Sequence, residues 1–209
     1  MKKDLGKYLF AVLLFGSNGI VASHIGLSSY EIVLWRTLIG SVLLLGLFAA
    51  SRRRFTFCQH KRDLLFIALS GVAMGGSWIF LYETYAQLGV SLASLAYYCG
   101  PVLVMVLSPL VFRERLTAAK LLGFAAVVIG IVLVNGKASG AISRWGLFCG
   151  LASAALYAVM VILNKKATAI QGLENATIQL VVSFLIVAIF VGLKTGFRMQ
   201  VASGDWPWI

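Results

Sequence analysis

The sequence predicts an all-α membrane protein, a transmembrane helix bundle of about seven spans. Three observations support this fold class: long apolar stretches recur along the chain, short polar segments separate them, and the positive charges collect on one side. Hydrophobic residues make up 60% of the 209 residues and charged residues only 12%, and the mean hydropathy is +0.93. A soluble domain of this length could not bury so much apolar surface.

The apolar stretches have the length of membrane-spanning helices, because about 20 residues cross a hydrocarbon layer of roughly 30 Å. The predicted spans cover, in order, residues 7–26, 30–50, 64–87, 92–112, 117–134, 145–164 and 175–193. The first resembles a secretory signal, with lysines before an apolar run and Val21-Ala22-Ser23 as a weak cleavage-like site. Further spans follow it and one of them is its counterpart, which favours a retained helix.

The 18 lysine and arginine residues are unevenly distributed between the two sides of the membrane. With a cytoplasmic amino terminus, the outer loops hold Lys137, Arg144, Lys194 and Arg198, and Arg36 lies inside a helix. This bias is the positive-inside pattern, and it predicts that the amino terminus is cytoplasmic and the carboxy terminus outside. Orientation in the cytoplasmic membrane then explains the net charge of +11 without a nucleic-acid partner. The cytoplasmic side holds Lys2, Lys3, Lys7, Arg52, Arg53, Arg54, Lys61, Arg62, Arg113, Arg115, Lys120, Lys165 and Lys166.

An internal repeat relates the sixth span to the first. A shift of 142 positions places Leu14-Phe15-Gly16 on Leu156-Tyr157-Ala158, and Leu9 on Leu151. Five spans separate the starts of the two units, and this odd number of crossings makes the second unit enter from the opposite face. The sequence thus predicts an inverted five-helix repeat, a common construction of secondary transporters. Its parts are residues 1–134, an outer loop at 135–144, and an incomplete second repeat at 145–209.

Four motifs follow one another between Tyr82 and Val134. They are Tyr85-Ala86-Gln87-Leu88-Gly89, Gly100-Pro101-Val102, Glu114-Arg115-Leu116-Thr117, and Gly123 with Gly130. In this ordered set the chain resembles the EamA domain of the drug/metabolite transporter superfamily. The resemblance implies a ten-helix fold and the efflux of small organic metabolites, with amino acids among the candidate solutes.

Relative to that ten-helix pattern the chain is expected to be truncated, since Asp205-Trp206-Pro207-Trp208-Ile209 resembles the start of an eighth helix. Two functions remain open. One is a secondary active transporter that exports a solute by alternating access. The other is a non-transporting membrane protein or half-module that needs a partner chain, a second copy being one candidate. On this view the 209-residue form alone does not transport, because the wall opposite its aromatic residues is largely unbuilt.

Among the ionisable residues of the predicted spans, Arg36 and Glu83 are the candidates for a functional charge. Counting 1.5 Å per residue places Arg36 about 8 Å from the outer end of its helix and Glu83 at a similar or smaller depth, so the two are expected to meet. Charged residues at such depths usually face protein or water. For Arg36, a buried pair or a substrate contact stands against snorkelling to the headgroups. Glu83 is a candidate for proton coupling or a plain interfacial carboxylate.

Aromatic side chains recur beside these charges. Trp78, Tyr82 and Tyr85 share one stripe of the third span, and such rings either line a cavity or form an aromatic belt and helix contacts. Asn18 and Tyr157 lie near mid-membrane on the repeat-related helices, where their polar groups need partners. The predicted substrate-cavity residues are Asn18, Arg36, Trp78, Tyr82, Glu83, Tyr97, Tyr98 and Tyr157.

Gly100 and Pro101 interrupt the fourth span, where proline removes a backbone donor, and they form either a hinge for a gate or a static kink. No catalytic motif occurs in the sequence, and the three cysteines lack metal-ligand spacing. The sequence therefore predicts that the protein is not an enzyme and uses no metal or cofactor. Its expected partners are a small organic solute and membrane lipid.

Overall fold

The computed structural model describes residues 28–51, 55–112 and 143–195, together with Leu5, Gly6, Leu9, Phe10, Leu13 and a few positions between 122 and 129. In this part of the chain the regular structure is entirely helical: α1 (Ser29–Ala50), α2 (Lys61–Phe112), α3 (Arg144–Lys166) and α4 (Gly172–Thr195). All four are long and apolar enough to cross a membrane. The predicted all-α membrane fold is confirmed, and the protein is a multi-pass membrane protein. The number of spans stays a prediction, because most of the first span, most of the fifth and positions 196–209 lie outside the described residues.

Polar side chains begin two of these helices. At the start of α1, Glu31 accepts a hydrogen bond from the Ser28 backbone N–H at 2.9 Å, while the Ser28 hydroxyl accepts one from the Glu31 backbone. This reciprocal capping box satisfies backbone donors that the first turn leaves free. Ser143 caps α3 with a single bond: its hydroxyl accepts a hydrogen bond from the Gly146 backbone N–H at 3.2 Å. The polar caps fix where each helix leaves its loop.

The longest helix, α2, covers the third and fourth predicted spans and reverses direction at Gly89. Gly89 has φ 74° and ψ 166°, a backbone conformation that essentially only glycine adopts. We name residues 61–88 arm A and residues 90–112 arm B. Arm A runs antiparallel to α3: the Cβ position of Gly146 lies against Leu88, whereas near the other end of α3 the Ser70 hydroxyl donates to the Met160 carbonyl at 3.0 Å.

Arm B runs parallel to α3. A Cβ atom added at Gly150 would lie 2.6 Å from the Ala96 Cβ, and further along, the Lys165 ammonium lies 4.4 Å from the centre of the Phe112 ring. Because both elements run in the same direction, the chain between Phe112 and Ser143 must return from one end of the bundle to the other. The sequence predicts a fifth span at 117–134 for this return, and the few described positions within it are helical.

Helix α4 packs against α1 in the opposite direction and against arm A in the same direction. Gly40 of α1 faces Leu180, and Tyr30, ten positions earlier, contacts Phe190, with ring centroids 5.5 Å apart. On the other side, the Cβ position of Gly71 lies 2.6 Å from the Gln179 carbonyl. The small residues of arm A thus allow α4 to pack closely against it.

The ends of the described helices form two layers. At the Glu174 end, the Glu174 carboxylate accepts hydrogen bonds from the backbone N–H groups of Thr56 and Phe57 at 2.6 and 3.0 Å. Asp63 similarly accepts from Thr168 at 2.8 Å and from its neighbour Ala169 at 2.6 Å. The opposite layer, the Glu83 end, contains Tyr30, Glu83, Trp145 and Lys194.

The interior holds a polar seam, and the outside is apolar. Asn175 donates to Asn164, Asn164 to Gln179, and Gln179 to Ser70, at 2.8, 3.2 and 2.7 Å. These bonds join α3, α4 and arm A where lipid offers no partner. In contrast, Leu193 is 85% exposed and faces outward. An outward apolar surface of this kind suits a lipid environment.

Candidate functional site

Arg36 of α1 lies against arm A. Its Nη1 atom donates to the Tyr82 hydroxyl at 2.8 Å, and its guanidinium carbon lies 4.9 Å from the centre of the Trp78 ring. Tyr82 is buried in the apolar cluster that joins α1, arm A and α4. The guanidinium is therefore held by a hydrogen bond and a cation–π contact to two of the predicted aromatic residues.

Two pairs of packed tyrosine rings lie in the bundle, one of them beside this arginine. Tyr82 and Tyr85 pack edge to face with centroids 5.3 Å apart. Arm B contributes the buried Tyr97. Tyr97 in turn packs edge to face against Tyr157 of α3, also at 5.3 Å. We call Arg36 with these four tyrosines the aromatic row; it crosses α1, both arms of α2 and α3.

Two of the predicted cavity residues, Tyr98 and Asn18, are not part of these described contacts. Tyr98 is 44% exposed, although its neighbour Tyr97 is buried. Asn18 lies outside the described residues. The structure thus brings Trp78 and Tyr82 to Arg36 and, separately, Tyr97 to Tyr157.

At the predicted hinge, arm B remains helical through both Pro101 and Pro109. The residue of non-helical geometry within α2 is Gly89. Gly100 lies directly against Tyr157: a Cβ atom added there would lie 2.7 Å from the ring carbon Cδ1. Gly100 therefore allows close packing of arm B on α3, and its role as a hinge stays a prediction.

Glu83 does not pair with Arg36 as expected; the two charged groups have separate partners. The Glu83 carboxylate accepts from the Tyr30 hydroxyl at 2.8 Å, from Gln87 Nε2 at 3.2 Å and from Trp145 Nε1 at 3.4 Å. The physical reason is helix rotation. Tyr82 faces Arg36, and the next residue of an α-helix points about 100° away, toward α3 and the start of α1.

Several residues around Arg36 and Glu83 could not be identified as site residues from the sequence. Tyr85 belongs to the recognised stripe but was not assigned to the site. Tyr30, Trp145 and Lys194 lie at helix ends, and their only signal in the sequence is an aromatic or basic side chain near an interface. Within residues 28–51, 55–112 and 143–195, no group of three or more His, Cys, Asp or Glu side chains could hold a metal ion.

Comparison with known proteins identifies the family. The model of the EamA-like transporter family matches residues 7–136. The chain is also similar to an uncharacterized transporter, YxxF, of Bacillus subtilis (strain 168), with 25% identity over 204 residues that cover 96% of this chain and 65% of the relative. No solved structure matches. Since the family model covers more than half of the sequence, the chain belongs to the EamA-like transporter family.

Proposed function

We propose that this protein acts as a secondary active transporter that exports small organic metabolites across the cytoplasmic membrane by alternating access. Family membership supports a transport function, and the chain spans 65% of the length of its transporter relative. The observation that carries the proposal is the aromatic row, in which Arg36 contacts Tyr82 and whose members lie on four helical segments. An ion gradient or the gradient of the solute drives the flux.

The chemistry of the row favours a solute with an acidic group and an apolar part. A guanidinium binds carboxylates with charge-assisted hydrogen bonds and does so in a planar, two-pronged geometry. Aromatic rings add apolar contact area with little conformational freedom to lose. Amino acids and other small carboxylates combine both features, and they are the first solutes to test.

The direction of α1 and α4 supports the proposed inverted repeat. A shift of 142 positions carries the residues of α1 onto positions 171–192, which α4 occupies almost completely. The two helices run in opposite directions, as the contacts of Gly40 with Leu180 and of Tyr30 with Phe190 require. We therefore retain residues 1–134 as one unit and 145–209 as the start of a second, joined by 135–144. In such transporters the solute lies between the units near the membrane midplane.

Solute counterflow in liposomes containing the purified protein tests the proposal. Vesicles preloaded with an unlabelled amino acid mixture should accumulate labelled amino acid in a saturable manner, and Arg36→Gln should reduce this flux by at least about tenfold, because a carboxylate loses its charged partner. Arg62→Gln is the matched control. Arg62 also lies over an aromatic ring, that of Phe66, at 5.6 Å, but at the Glu174 end.

The outcomes separate the two parts of the proposal. Equal flux in the Arg36→Gln and wild-type proteins would contradict the assigned solute site while leaving transport intact. Lack of saturable flux with a broad mixture of small metabolites would contradict the transport proposal for this chain and favour the half-module interpretation. Coexpression with a second copy that carries a different tag would then measure whether a dimer forms.

A further inference from the structure

One carboxylate connects all four helices in the described part of the chain. Glu83 of arm A accepts hydrogen bonds from Tyr30 of α1 at 2.8 Å and from Trp145 of α3 at 3.4 Å. Helix α4 joins through Lys194, whose ammonium donates to the Tyr30 hydroxyl at 2.6 Å. We name Tyr30, Glu83, Trp145 and Lys194 the Glu83 junction.

Tyr30 connects the two charged groups of this junction through hydrogen bonds. Its oxygen accepts a hydrogen bond from the Lys194 ammonium while its own O–H donates one to the Glu83 carboxylate. The ammonium also lies 3.8 Å from the centre of the Tyr30 ring. Each bond of such a chain polarises the next, and both ends are charged, so the three groups are coupled more strongly than neutral groups would be.

The two ends of the bundle are closed by different kinds of bond. At the Glu174 end, Glu174 and Asp63 accept hydrogen bonds from backbone N–H groups of neighbouring loops. Breaking these bonds requires that a loop move away from the helix. At the Glu83 end, the partners of Glu83 are all side chains. Side chains change rotamer far faster than loops rearrange. The Glu83 junction is therefore the closure that opens with less rearrangement.

We propose that the Glu83 junction is a releasable gate, which holds the outer ends of α1, α3 and α4 to arm A and breaks when this end of the bundle opens. The inference rests on the proposed alternating access, in which each end must open in turn. Tyr30, Trp145 and Lys194 are positioning residues in this step. They do not bind the solute; they set whether the aromatic row is reachable from the Glu83 end.

The protein contains a reporter for this opening. Cys149 is completely buried and lies one helical turn beyond Trp145 on the same face of α3. When Trp145 leaves Glu83, α3 separates from arm A at this position and the thiol becomes accessible. The other thiols, Cys58 and Cys99, are changed to serine so that labelling reports on Cys149 alone.

The experiment measures the rate at which a polar maleimide labels Cys149 in lipid nanodiscs, which leave both faces accessible. We expect Glu83→Gln and Tyr30→Phe each to increase this rate roughly tenfold, as the loss of charge-assisted hydrogen bonds implies. The double variant should label no faster than the faster single variant, because both changes break one connection. Glu31→Gln is the control, since Glu31 lies in the same end layer but bonds to Ser28.

Unchanged labelling in both folded single variants would overturn the gate. If Glu83→Gln fails to elute as a single folded species, Tyr30→Phe, which removes one oxygen atom, decides the matter. Labelling that increases equally in the Glu31→Gln control would also contradict the proposal, because loosening would then be general. Flux in the wild-type protein is measured separately, so a failed transport assay and a failed gate are distinguishable.

Discussion

Ser77 of arm A and Ser153 of α3 exchange reciprocal hydrogen bonds. The Ser77 hydroxyl donates to the Ser153 carbonyl at 2.9 Å, and the Ser153 hydroxyl donates to the Ser77 carbonyl at 2.8 Å. Both side chains are buried. The pair fixes the height of one helix against the other, since a shift by one turn would leave both hydroxyl groups in an apolar setting.

Ser77→Ala or Ser153→Ala should therefore destabilise the bundle modestly. Interhelical hydrogen bonds in membrane proteins average about 0.6 kcal/mol and reach about 1.7. The free energy of unfolding, measured by SDS titration in mixed micelles, checks this. The double variant should lose about the sum of the single losses, because each hydroxyl donates to a backbone carbonyl that alanine retains; unchanged unfolding free energy in both single variants would show that the exchange contributes nothing.

Gly150→Ala should destabilise the protein, although it adds only one methyl group. The added methyl group would lie 2.6 Å from the Ala96 Cβ, so α3 and arm B must separate, at a cost of about 1–3 kcal/mol. Gly46→Ala in α1 is the control. Its Cβ position has no neighbour within 4 Å, and alanine there should stabilise by about 0.5–1 kcal/mol. Similar melting temperatures for the two variants would contradict the close approach.

Gly89 should tolerate neither alanine nor asparagine. Its φ of 74° and ψ of 166° lie outside the left-handed helical region that asparagine adopts, in a region that is essentially limited to glycine. Each substitution should cost about 1–3 kcal/mol in unfolding free energy. Rescue by asparagine relative to alanine would indicate a different turn, and the same SDS titration measures both variants.

Arg36→Gln and Glu83→Gln should not rescue each other. A direct pair would predict that the double variant recovers folded yield, because neither charge would be left alone. The structure gives Arg36 contacts with Tyr82 and Trp78 and gives Glu83 a different set of donors. Quantitative blotting of the membrane yields of the wild type, the two single variants and the double variant decides between a direct pair and separate partners. Recovery in the double variant would reinstate the pair.

Membrane orientation can be tested with a natural thiol. Cys58 is exposed in the loop that Glu174 holds, on the predicted cytoplasmic side. An impermeant maleimide should label it in inside-out vesicles and spare it in intact cells, while Arg144→Cys, at the opposite end, should show the reverse. Labelling of Cys58 in intact cells would invert the orientation.

The sequence predicted most of the helices, and their contacts much less well. The predicted spans 30–50, 145–164 and 175–193 correspond to Ser29–Ala50, Arg144–Lys166 and Gly172–Thr195, because apolar length alone defines a spanning helix. Counting along a helix gives the depth of Arg36 and Glu83 but not the direction in which each points. That direction depends on how the helices rotate against one another, and so the partners of Glu83 were not predictable from spacing.

The reversal at Gly89 also bears on how the chain reaches the membrane. Arms A and B are joined without a polar loop, so neither arm can settle in the bilayer with the other left in water. In the sequence, Lys61 and Arg62 begin this pair and Arg113 and Arg115 follow it, on the predicted cytoplasmic side. Since such charges resist translocation, α2 is suited to insert during synthesis as a single helical hairpin, its orientation set in one step.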